Sequence, residues 1–340
     1  MATLSDLWKR GQDFLGVRYP IMCGAMTWIS DSKLVSAVSN AGAFGCLAAG
    51  NMEPELLEEE IQRTKTLTDK PFAVNLITIA PNYKSHLQLT VENEVPFVIF
   101  AAGIPKISEI QTAKEGGAKV LCFASTKSLA KKLIERGADG LILEGSEAGG
   151  HIGHVSLVIL LQQVLFTVDS VPVFVAGGIG SGRLIPHLLL MGAAGIQLGT
   201  LFVVTEECKA HPKFKEAFLK ARARDAVATP QIGSELHVVA VRALQNKGTE
   251  NFAQLQMDLI RMRRLGEITH EEAQFEVEKY WMGTLRNAVE EGDVTEGSLM
   301  AGQSVGLVDR IQPLKDVLDE LIKDAEKELE RVQKRLGTRK

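Results

Sequence analysis

Eight short apolar segments, each followed by an amphipathic stretch, constrain the fold of this chain more than any other feature. Their apolar residues are continuous rather than alternating, which is typical of strands buried on both faces of a parallel sheet. Eight successive units of a strand and a helix predict a closed (β/α)8 TIM barrel. The segments span residues 19–26, 44–49, 72–77, 97–101, 119–123, 140–144, 171–176 and 194–198.

An open, doubly wound sheet is the structural alternative to the barrel. Such sheets carry a glycine-rich dinucleotide fingerprint after a strand. The nearest candidate here is the segment Gly178 to Arg183, and Arg183 occupies the position of the last small residue. The pattern therefore favours the barrel, and it speaks against an adenylate-binding half.

The pattern changes after the eighth segment. Residues 205–305 read as a mainly helical insertion, with helical stretches at 205–224, 251–264 and 269–291 and a loop at 225–236. A last helix over 313–335 carries an apolar stripe that suits the barrel wall, with partner binding as the alternative. We therefore predict a barrel formed by 1–204 and 306–340, and a cap formed by 205–305 on the face that carries the loops after the strands.

Composition excludes several classes of protein. The 340 residues include 45 % hydrophobic residues and carry a formal net charge of −4, which indicates no general affinity for nucleic acid or for an anionic membrane. No segment is apolar enough for a membrane span, and the first ten residues do not resemble a signal peptide. The four cysteines are scattered, which favours a reducing, cytoplasmic setting and speaks against zinc or an iron–sulfur cluster.

The segment from Glu144 to Gly153 is the sharpest chemical signal. It follows a buried strand and reads Glu-Gly-Ser-Glu-Ala-Gly-Gly-His-Ile-Gly, so that His151 lies on a glycine-flanked loop at a strand end. An imidazole there can exchange a proton near neutral pH, and the glycines let a flat ligand approach. A purely structural histidine remains the alternative. His154 suggests a metal pair, but spacing identifies no third ligand.

Two glycine turns follow the seventh and eighth strands. Gly177 and Gly178 end one strand, and Gln197, Gly199 and Thr200 end the next. In (β/α)8 enzymes these two loops commonly form a phosphate cup from backbone N–H groups. Together they predict a cofactor that carries a phosphate.

Polar and small residues lie at other strand ends. Gly24, Ala25 and Met26 end the first strand, and Asn75 lies in the third. A buried asparagine needs a hydrogen-bond partner, which is either a ligand ring edge or neighbouring backbone. The segment from Gly297 to Gln303 is also rich in small residues, which suits a close approach of its backbone from the cap side.

These segments resemble the flavin family of nitronate monooxygenases and FMN-containing enoyl-acyl-carrier-protein reductases, and the match looks closer to the reductases. The resemblance covers nearly the whole chain. It rests on Glu144–Gly153, on Gly199-Thr200 with Phe202-Val203-Val204, on Ala210-His211-Pro212 with Lys215-Glu216, and on Gly297-Ser298 with Met300-Ala301-Gly302-Gln303.

The resemblance implies bound FMN and names the residues that hold it. His151 is the implied catalytic group, and no metal is expected. The implied cofactor contacts are Gly24, Ala25, Met26, Asn75, Glu144, Gly150, Gly177, Gly178, Gln197, Gly199, Thr200, Met300 and Gln303.

Three functions fit the resemblance. The first is reduction of an enoyl thioester on acyl-carrier protein in fatty-acid synthesis, with NADH or NADPH as reductant and His151 as proton donor. The second is oxidation of a small nitronate by O2, with His151 as base. The third is a flavin-binding protein without catalysis. A homodimer is compatible with all three.

Two features of the cap bear on the first function. The basic residues between Lys209 and Arg224 suit an acidic carrier protein, or else form a solvated helix face. Phe252, Leu255, Met257 and Leu259 suit an acyl tunnel, or else the core of a helix pair.

Overall fold

A computed structural model of the protein describes residues 3–232, 236 and 239–337. Eight parallel strands form its centre, and each falls within one of the eight predicted segments or ends one residue beyond it. They are β1 (Ile21–Cys23), β2 (Gly45–Ala48), β3 (Phe72–Ile77), β4 (Phe97–Ala101), β5 (Lys119–Ala124), β6 (Gly140–Glu144), β7 (Val173–Ala176) and β8 (Gly195–Leu198).

The helices lie partly around the barrel, after its strands, and partly at its two ends. They are α1 (Leu4–Leu15), α2 (Ser32–Asn40), α3 (Pro54–Leu67), α4 (Tyr83–Glu92), α5 (Ile107–Glu115), α6 (Lys127–Glu135), α7 (Leu157–Val164), α8 (Ile185–Leu190), α9 (Thr200–Val203), α10 (Pro212–Lys220), α11 (Lys247–Arg264), α12 (His270–Arg286) and α13 (Leu314–Gly337). Short 3-10 turns lie at Gly182–Leu184, Ala223–Asp225 and Gln303–Leu307, and a π turn at Asn287–Glu291 extends α12.

The strands close into a barrel. Each strand from β2 to β7 pairs in parallel with the next barrel strand in sequence, and β8 pairs with β1. A parallel bridge between Met22 and Phe44 joins β1 to β2, where the Cys23 N–H donates to the Phe44 carbonyl at 2.8 Å. The predicted (β/α)8 barrel is therefore confirmed.

Helix α1 covers the amino-terminal end of the barrel. Thr3 caps it by accepting from the Asp6 N–H at 3.2 Å, and Gly16 ends it in a left-handed conformation. The helix delivers Phe14 to the barrel interior, where its ring packs edge-on against Phe97 with centroids 5.9 Å apart. The opposite, carboxyl-terminal end is left for a ligand.

Helix α13 completes the wall, as its apolar stripe predicts. The stripe residues are buried where α13 packs on α8, α1 and α2: Leu314, Val317, Leu318, Leu321, Ile322, Ala325 and Leu329. Its Glu328 carboxylate accepts from Arg331 and lies 3.0 Å from Nε2 of His187 on α8. Hydrogen bonding by Arg331, and then by His187, lowers the pKa of Glu328 to about 2.

Residues between α9 and α13 form a layer above the carboxyl-terminal strand ends, and α10 of this layer packs into the main core through Phe214 and Phe218. Helices α11 and α12 enclose a small core, in which Phe252 packs on Trp281 with ring centroids 4.2 Å apart. The layer also contains a three-stranded antiparallel sheet of Ala226–Ala228, Val241–Leu244 and Gly150–His151, which the sequence analysis did not predict. The boundaries at 205 and 305 stay a prediction.

Within the described ranges, no helix is both long enough and apolar enough to cross a membrane. All four cysteines are buried free thiols.

Candidate active site

The carboxyl-terminal mouth of the barrel brings the predicted strand-end residues of β1 and β8 together. The Gly24 N–H donates to the Leu198 carbonyl at 2.9 Å. A Cβ atom added at Gly24 would lie 3.1 Å from Nε2 of Gln197, and one added at Gly199 would lie 3.6 Å from Sδ of Met26. The turn after β1, which also includes Ala25, therefore packs directly on the turn after β8, and side-chain-free backbone lines this part of the mouth.

The two glycine turns have the conformation that a phosphate cup requires. Gly177 and Gly178 have φ of +96° and +69°, a region that favours glycine. In the described part of the chain, no protein acceptor receives a hydrogen bond from the backbone N–H of Gly178 or of Gly199. The Thr200 hydroxyl accepts from the Gly302 N–H at 3.1 Å, which leaves its own proton available for donation. Backbone N–H groups, together with this hydroxyl, are thus available to bind an anion.

The Glu144–Gly153 loop is clamped against the cap segment that contains Met300 and Gln303. The Gln303 N–H donates to the Glu147 carbonyl at 2.9 Å. An added Cβ at Gly149 would lie 2.6 Å from the Gly302 nitrogen, so this contact requires glycine. At Gly150, where φ is +76°, an added Cβ would lie 3.7 Å from Sδ of Met300. The glycines of the motif therefore permit close packing of two backbones.

His151, near the end of this loop, lies against the cap. It pairs with Val241 in the small antiparallel sheet, and its Nε2 lies 3.5 Å from Oε1 of Glu278 on α12. The imidazole is 43 % exposed. Nothing in the sequence links Glu278, in the middle of α12, to the loop after β6, so its place beside His151 emerges only from the fold.

Helix α12 also reaches the other side of the mouth. The Arg286 guanidinium lies over the indole of Trp28, 5.1 Å from the ring centroid. Trp28 has φ of +65°, and its buried indole N–H has no acceptor among the residues that the structure describes. The helix thus crosses the mouth from His151 to Trp28, a placement that the sequence did not reveal.

Two charged residues hold the loop in place. Glu147 accepts from the Leu157 N–H at the start of α7, at 2.9 Å. Arg242 donates to the carbonyls of Ser146 and Ala226, at 3.0 and 2.5 Å. Burial lowers the pKa of Arg242, and Glu147 opposes that shift. Both residues fix backbone around His151.

The polar side chains at the mouth differ in their partners. Nδ2 of Asn75 donates to the Ile99 carbonyl at 3.3 Å, which is the backbone alternative considered for it. The buried amide of Gln197 and the carboxyl of Glu144 have no hydrogen-bond partner in the portion of the chain described. Burial raises the pKa of Glu144 to about 8.

The residues present fit a flavin with a phosphate. A flat ring requires small residues and polar groups that lack partners at the mouth, and Gly24, Gln197 and Glu144 provide them. A phosphate requires free N–H groups, and the turns at Gly178 and Gly199 provide those. The individual contacts stay predictions.

Two expectations for the cap are altered by the structure. Lys215 is buried and its ammonium donates to the carbonyls of Thr205 and Cys208, so it cannot dock a carrier protein. Lys209 and Lys220 lie within 3.6 Å of Asp31 and Glu216, which weakens the basic patch. Phe252 and Leu259 pack in the core between α11 and α12 rather than along a tunnel.

Comparisons with known proteins identify the family of the chain. The chain matches the family described as nitronate monooxygenase over residues 9–85 and 77–324. It is 31 % identical to a 5-hydroxy-7a-methyl-1-oxo-octahydro-1H-indene-4-carboxyl-CoA dehydrogenase of Rhodococcus jostii, over 94 % of this chain and 96 % of the relative. It is 28 % identical to a probable nitronate monooxygenase of Staphylococcus aureus, over 74 % of this chain and 83 % of the relative.

Solved structures extend the likeness to the whole chain. The structure of FabK from Thermotoga maritima superposes with a TM-score of 0.84 at 35 % identity, covering 98 % of this chain and 99 % of that one. A nitroalkane oxidase of Streptomyces ansochromogenes gives a TM-score of 0.78 at 27 % identity, covering 95 % and 99 %. The chain therefore belongs to the nitronate monooxygenase family of flavin-dependent oxidoreductases.

Proposed function

We propose that this protein is an FMN-dependent reductase of enoyl thioesters, with NADH or NADPH as reductant and acyl-carrier protein as carrier of the substrate. The observation that carries the proposal is the position of His151 at the mouth, facing Glu278 of α12 at 3.5 Å. The likeness to FabK supports the thioester branch, because its TM-score of 0.84 and identity of 35 % exceed the 0.78 and 27 % of the nitroalkane oxidase.

The flavin would be held mainly by backbone. The N–H groups at Gly177, Gly178, Gly199 and Thr200 would bind its phosphate. The amides of Gln197 and Asn75 would meet the polar edge of its ring, with Gly24, Ala25, Met26, Glu144, Gly150, Met300 and Gln303 around it. FMN bound here supplies transfer of a hydride from a nicotinamide to the β-carbon of the enoyl thioester.

His151 would give the proton that the α-carbon needs. The Glu278 carboxylate, 3.5 Å from Nε2, would orient the imidazole, and the exposed ring can exchange its proton with water. The Glu144–Gly153 loop packs on Gly302 and Gln303, and His151 pairs with Val241 in the small sheet. The backbone that carries the imidazole is therefore held by strand pairing. General acid catalysis by one side chain is typically worth about 10²–10⁴ in rate.

A nitronate monooxygenase is the second candidate. The family match and the Staphylococcus aureus relative favour it. In that enzyme His151 would act as a base and no nicotinamide would be needed. The Rhodococcus jostii relative, named as a carboxyl-CoA dehydrogenase, favours a thioester substrate and raises coenzyme A as an alternative carrier. The third candidate, a flavin-binding protein without catalysis, would not need a histidine at the mouth.

One anaerobic experiment separates these functions. The purified yellow protein is mixed with NADH or NADPH, and loss of the flavin colour is followed. An enoyl thioester on acyl-carrier protein, or the same thioester on coenzyme A, is then added to the bleached protein without O2. Turnover of a nitronate is measured separately, in air, with protein that has not been mixed with nicotinamide. Bleaching by a nicotinamide and recovery by an enoyl thioester support the proposal. Failure to bleach, together with turnover of the nitronate, would support the second candidate instead.

His151→Ala tests the proton donor. We expect full flavin loading, nearly normal bleaching by nicotinamide, and recovery by the enoyl thioester slowed by about 10²–10⁴. His154→Ala is the matched control, since His154 is an exposed histidine three residues further along the same loop. Normal turnover in His151→Ala would make His151 structural.

A further inference from the structure

Three polar side chains form the upper layer of the barrel interior. Side chains alternate along a strand, and Ala73, Ile142 and Ala176 belong to the interior cluster. Asn75 and Glu144 lie two residues beyond Ala73 and Ile142, so they also face inward. Gln197 lies beside Ala176 in the β7–β8 register. A ligand bound at the carboxyl-terminal mouth would therefore lie directly over the side chains of these three residues.

Glu144 differs from the other two because it is ionisable. It ends β6 directly beside Ala176 and is partly exposed at the open mouth. Within the described residues, no Lys, Arg or His pairs with its carboxyl and no donor bonds to it. A ligand seated over the strand ends would remove the remaining water from this group.

The charged groups around Glu144 are occupied elsewhere. Glu147, in the loop that follows, accepts from the Leu157 N–H. Arg242, from the small sheet above, donates to backbone carbonyls of Ser146 and Ala226. His151 faces Glu278 of α12. On the adjoining strands, Ala176 is paired with Glu144, and Phe123 lies one layer below it, paired with Ile142; both are apolar. Ser125, which follows β5 level with Glu144, is uncharged. Among the described residues, no cation is therefore placed to neutralise a Glu144 carboxylate.

A carboxylate that a ligand covers, with no cation beside it, is strongly unfavourable, whereas a neutral acid is not. Burial already raises the pKa of Glu144 to about 8 in the ligand-free protein. A flavin phosphate adds negative charge to the same site, which favours the neutral acid further. The protonated group also gains a donor, and flavin ring edges offer acceptors.

We propose that Glu144 binds the flavin ring as a neutral carboxylic acid and donates its proton in a hydrogen bond to an acceptor on the ring edge. The inference rests on the proposed flavin site and adds a linkage to it: each bound flavin retains or takes up one proton at Glu144. Once Glu144 is ionised in the apo-protein, binding must first restore that proton. Flavin affinity therefore falls as pH rises, by about tenfold per pH unit.

Flavin binding to apo-protein across the pH range from neutral to alkaline tests this linkage. Quenching of flavin fluorescence gives Kd, and riboflavin is run beside FMN to separate titration of the phosphate. Wild-type affinity should fall about tenfold per pH unit on the alkaline side. Glu144→Gln, which keeps a donor but cannot ionise, should bind with an affinity that is flat until the flavin itself titrates.

Glu147→Gln is the matched control, because its carboxyl lies in the same loop but already has a partner. It should keep the wild-type pH dependence. The infrared carbonyl band of a protonated carboxylic acid should be present in the wild-type holoprotein, which needs no variant to fold, and absent from Glu144→Gln.

If the flavin affinity of the wild type does not depend on pH, or if Glu144→Gln loses affinity at alkaline pH as the wild type does, the inference is overturned and the proposed function still stands. Absence of flavin binding at every pH would overturn both.

Discussion

The barrel mouth and the cap build their parts of the site in different ways. At the mouth, the groups that fit a flavin are backbone N–H groups and side chains at strand ends, and the parallel ladder fixes them. In the cap, Glu278 and Arg286 reach the mouth from α12, which is held by packing on α11. The comparison indicates that cofactor binding depends on the barrel, and that substrate chemistry depends on how the cap is packed.

The two regions should therefore fail separately. A change at the phosphate turn should remove flavin and leave the cap folded. A change in the cap core should leave flavin bound and impair turnover.

Gly178→Leu should give the largest effect on the barrel side. The left-handed backbone at Gly178 is strained for leucine, and a Cβ there would lie 3.1 Å from Cβ of Glu147. The phosphate turn and the loop after β6 are then pushed apart, so that the purified protein should be colourless. Absorbance of the flavin per protein chain measures the loss. Circular dichroism should remain close to that of the wild type.

Gly192→Leu is the control for backbone strain. Gly192 has φ of +107°, and the nearest atom to an added Cβ is the Leu165 carbonyl oxygen at 3.9 Å. It precedes β8 and thus lies at the opposite end of the barrel. This variant should keep its flavin. Full flavin loading of Gly178→Leu would contradict the phosphate assignment.

Phe252→Ala tests the cap. Phe252 is fully buried between Tyr280 and Trp281, and removing a buried phenyl ring typically costs about 3–5 kcal/mol. Amide hydrogen exchange should speed up in α11 and α12 and remain slow in the barrel strands. Flavin content should stay normal, while turnover falls.

Met257→Ala on the same helix is the comparison, because Met257 is exposed and its loss should change stability by less than about 0.5 kcal/mol. If Phe252→Ala unfolds barrel and cap in one transition, the two regions form a single cooperative unit and the predicted division at residue 205 is wrong.

The barrel mouth could be predicted from the sequence to a greater extent than the cap. Buried parallel strands are continuous apolar runs, so that Phe72–Ile77, Phe97–Ala101 and Gly140–Glu144 are found with their observed bounds. The carboxyl ends of such strands share one end of the barrel, which places Gly24, Asn75 and Gln197 around the same mouth. This part of the site follows from strand order alone.

The rest depends on contacts between distant segments. The strands at 226–228 and 241–244 are short, and they pair with a two-residue strand at 150–151 that reads as loop. Lys215 looks like a surface residue in a basic helix until the fold brings the carbonyls of Thr205 and Cys208 around it. Local pattern cannot show such partners.

Two glycines in the cap should give the smallest effects, with opposite signs. Gly266 ends α11 with φ of +73°, and the Glu267 N–H donates to the Met262 carbonyl at 2.9 Å, as in a Schellman turn. Gly283 lies inside α12, and an added Cβ at either glycine meets no atom within 4 Å. Only the backbone conformation distinguishes these two sites.

Gly266→Ala should therefore destabilise the protein by about 1 kcal/mol, because alanine is strained in the left-handed region. Gly283→Ala should stabilise it by about 0.5–1 kcal/mol through helix propensity. Denaturant unfolding of the three proteins measures both changes, and flavin content should be the same in all of them because neither glycine touches the mouth. If both substitutions change the free energy of unfolding in the same direction, backbone conformation does not control stability at these two positions.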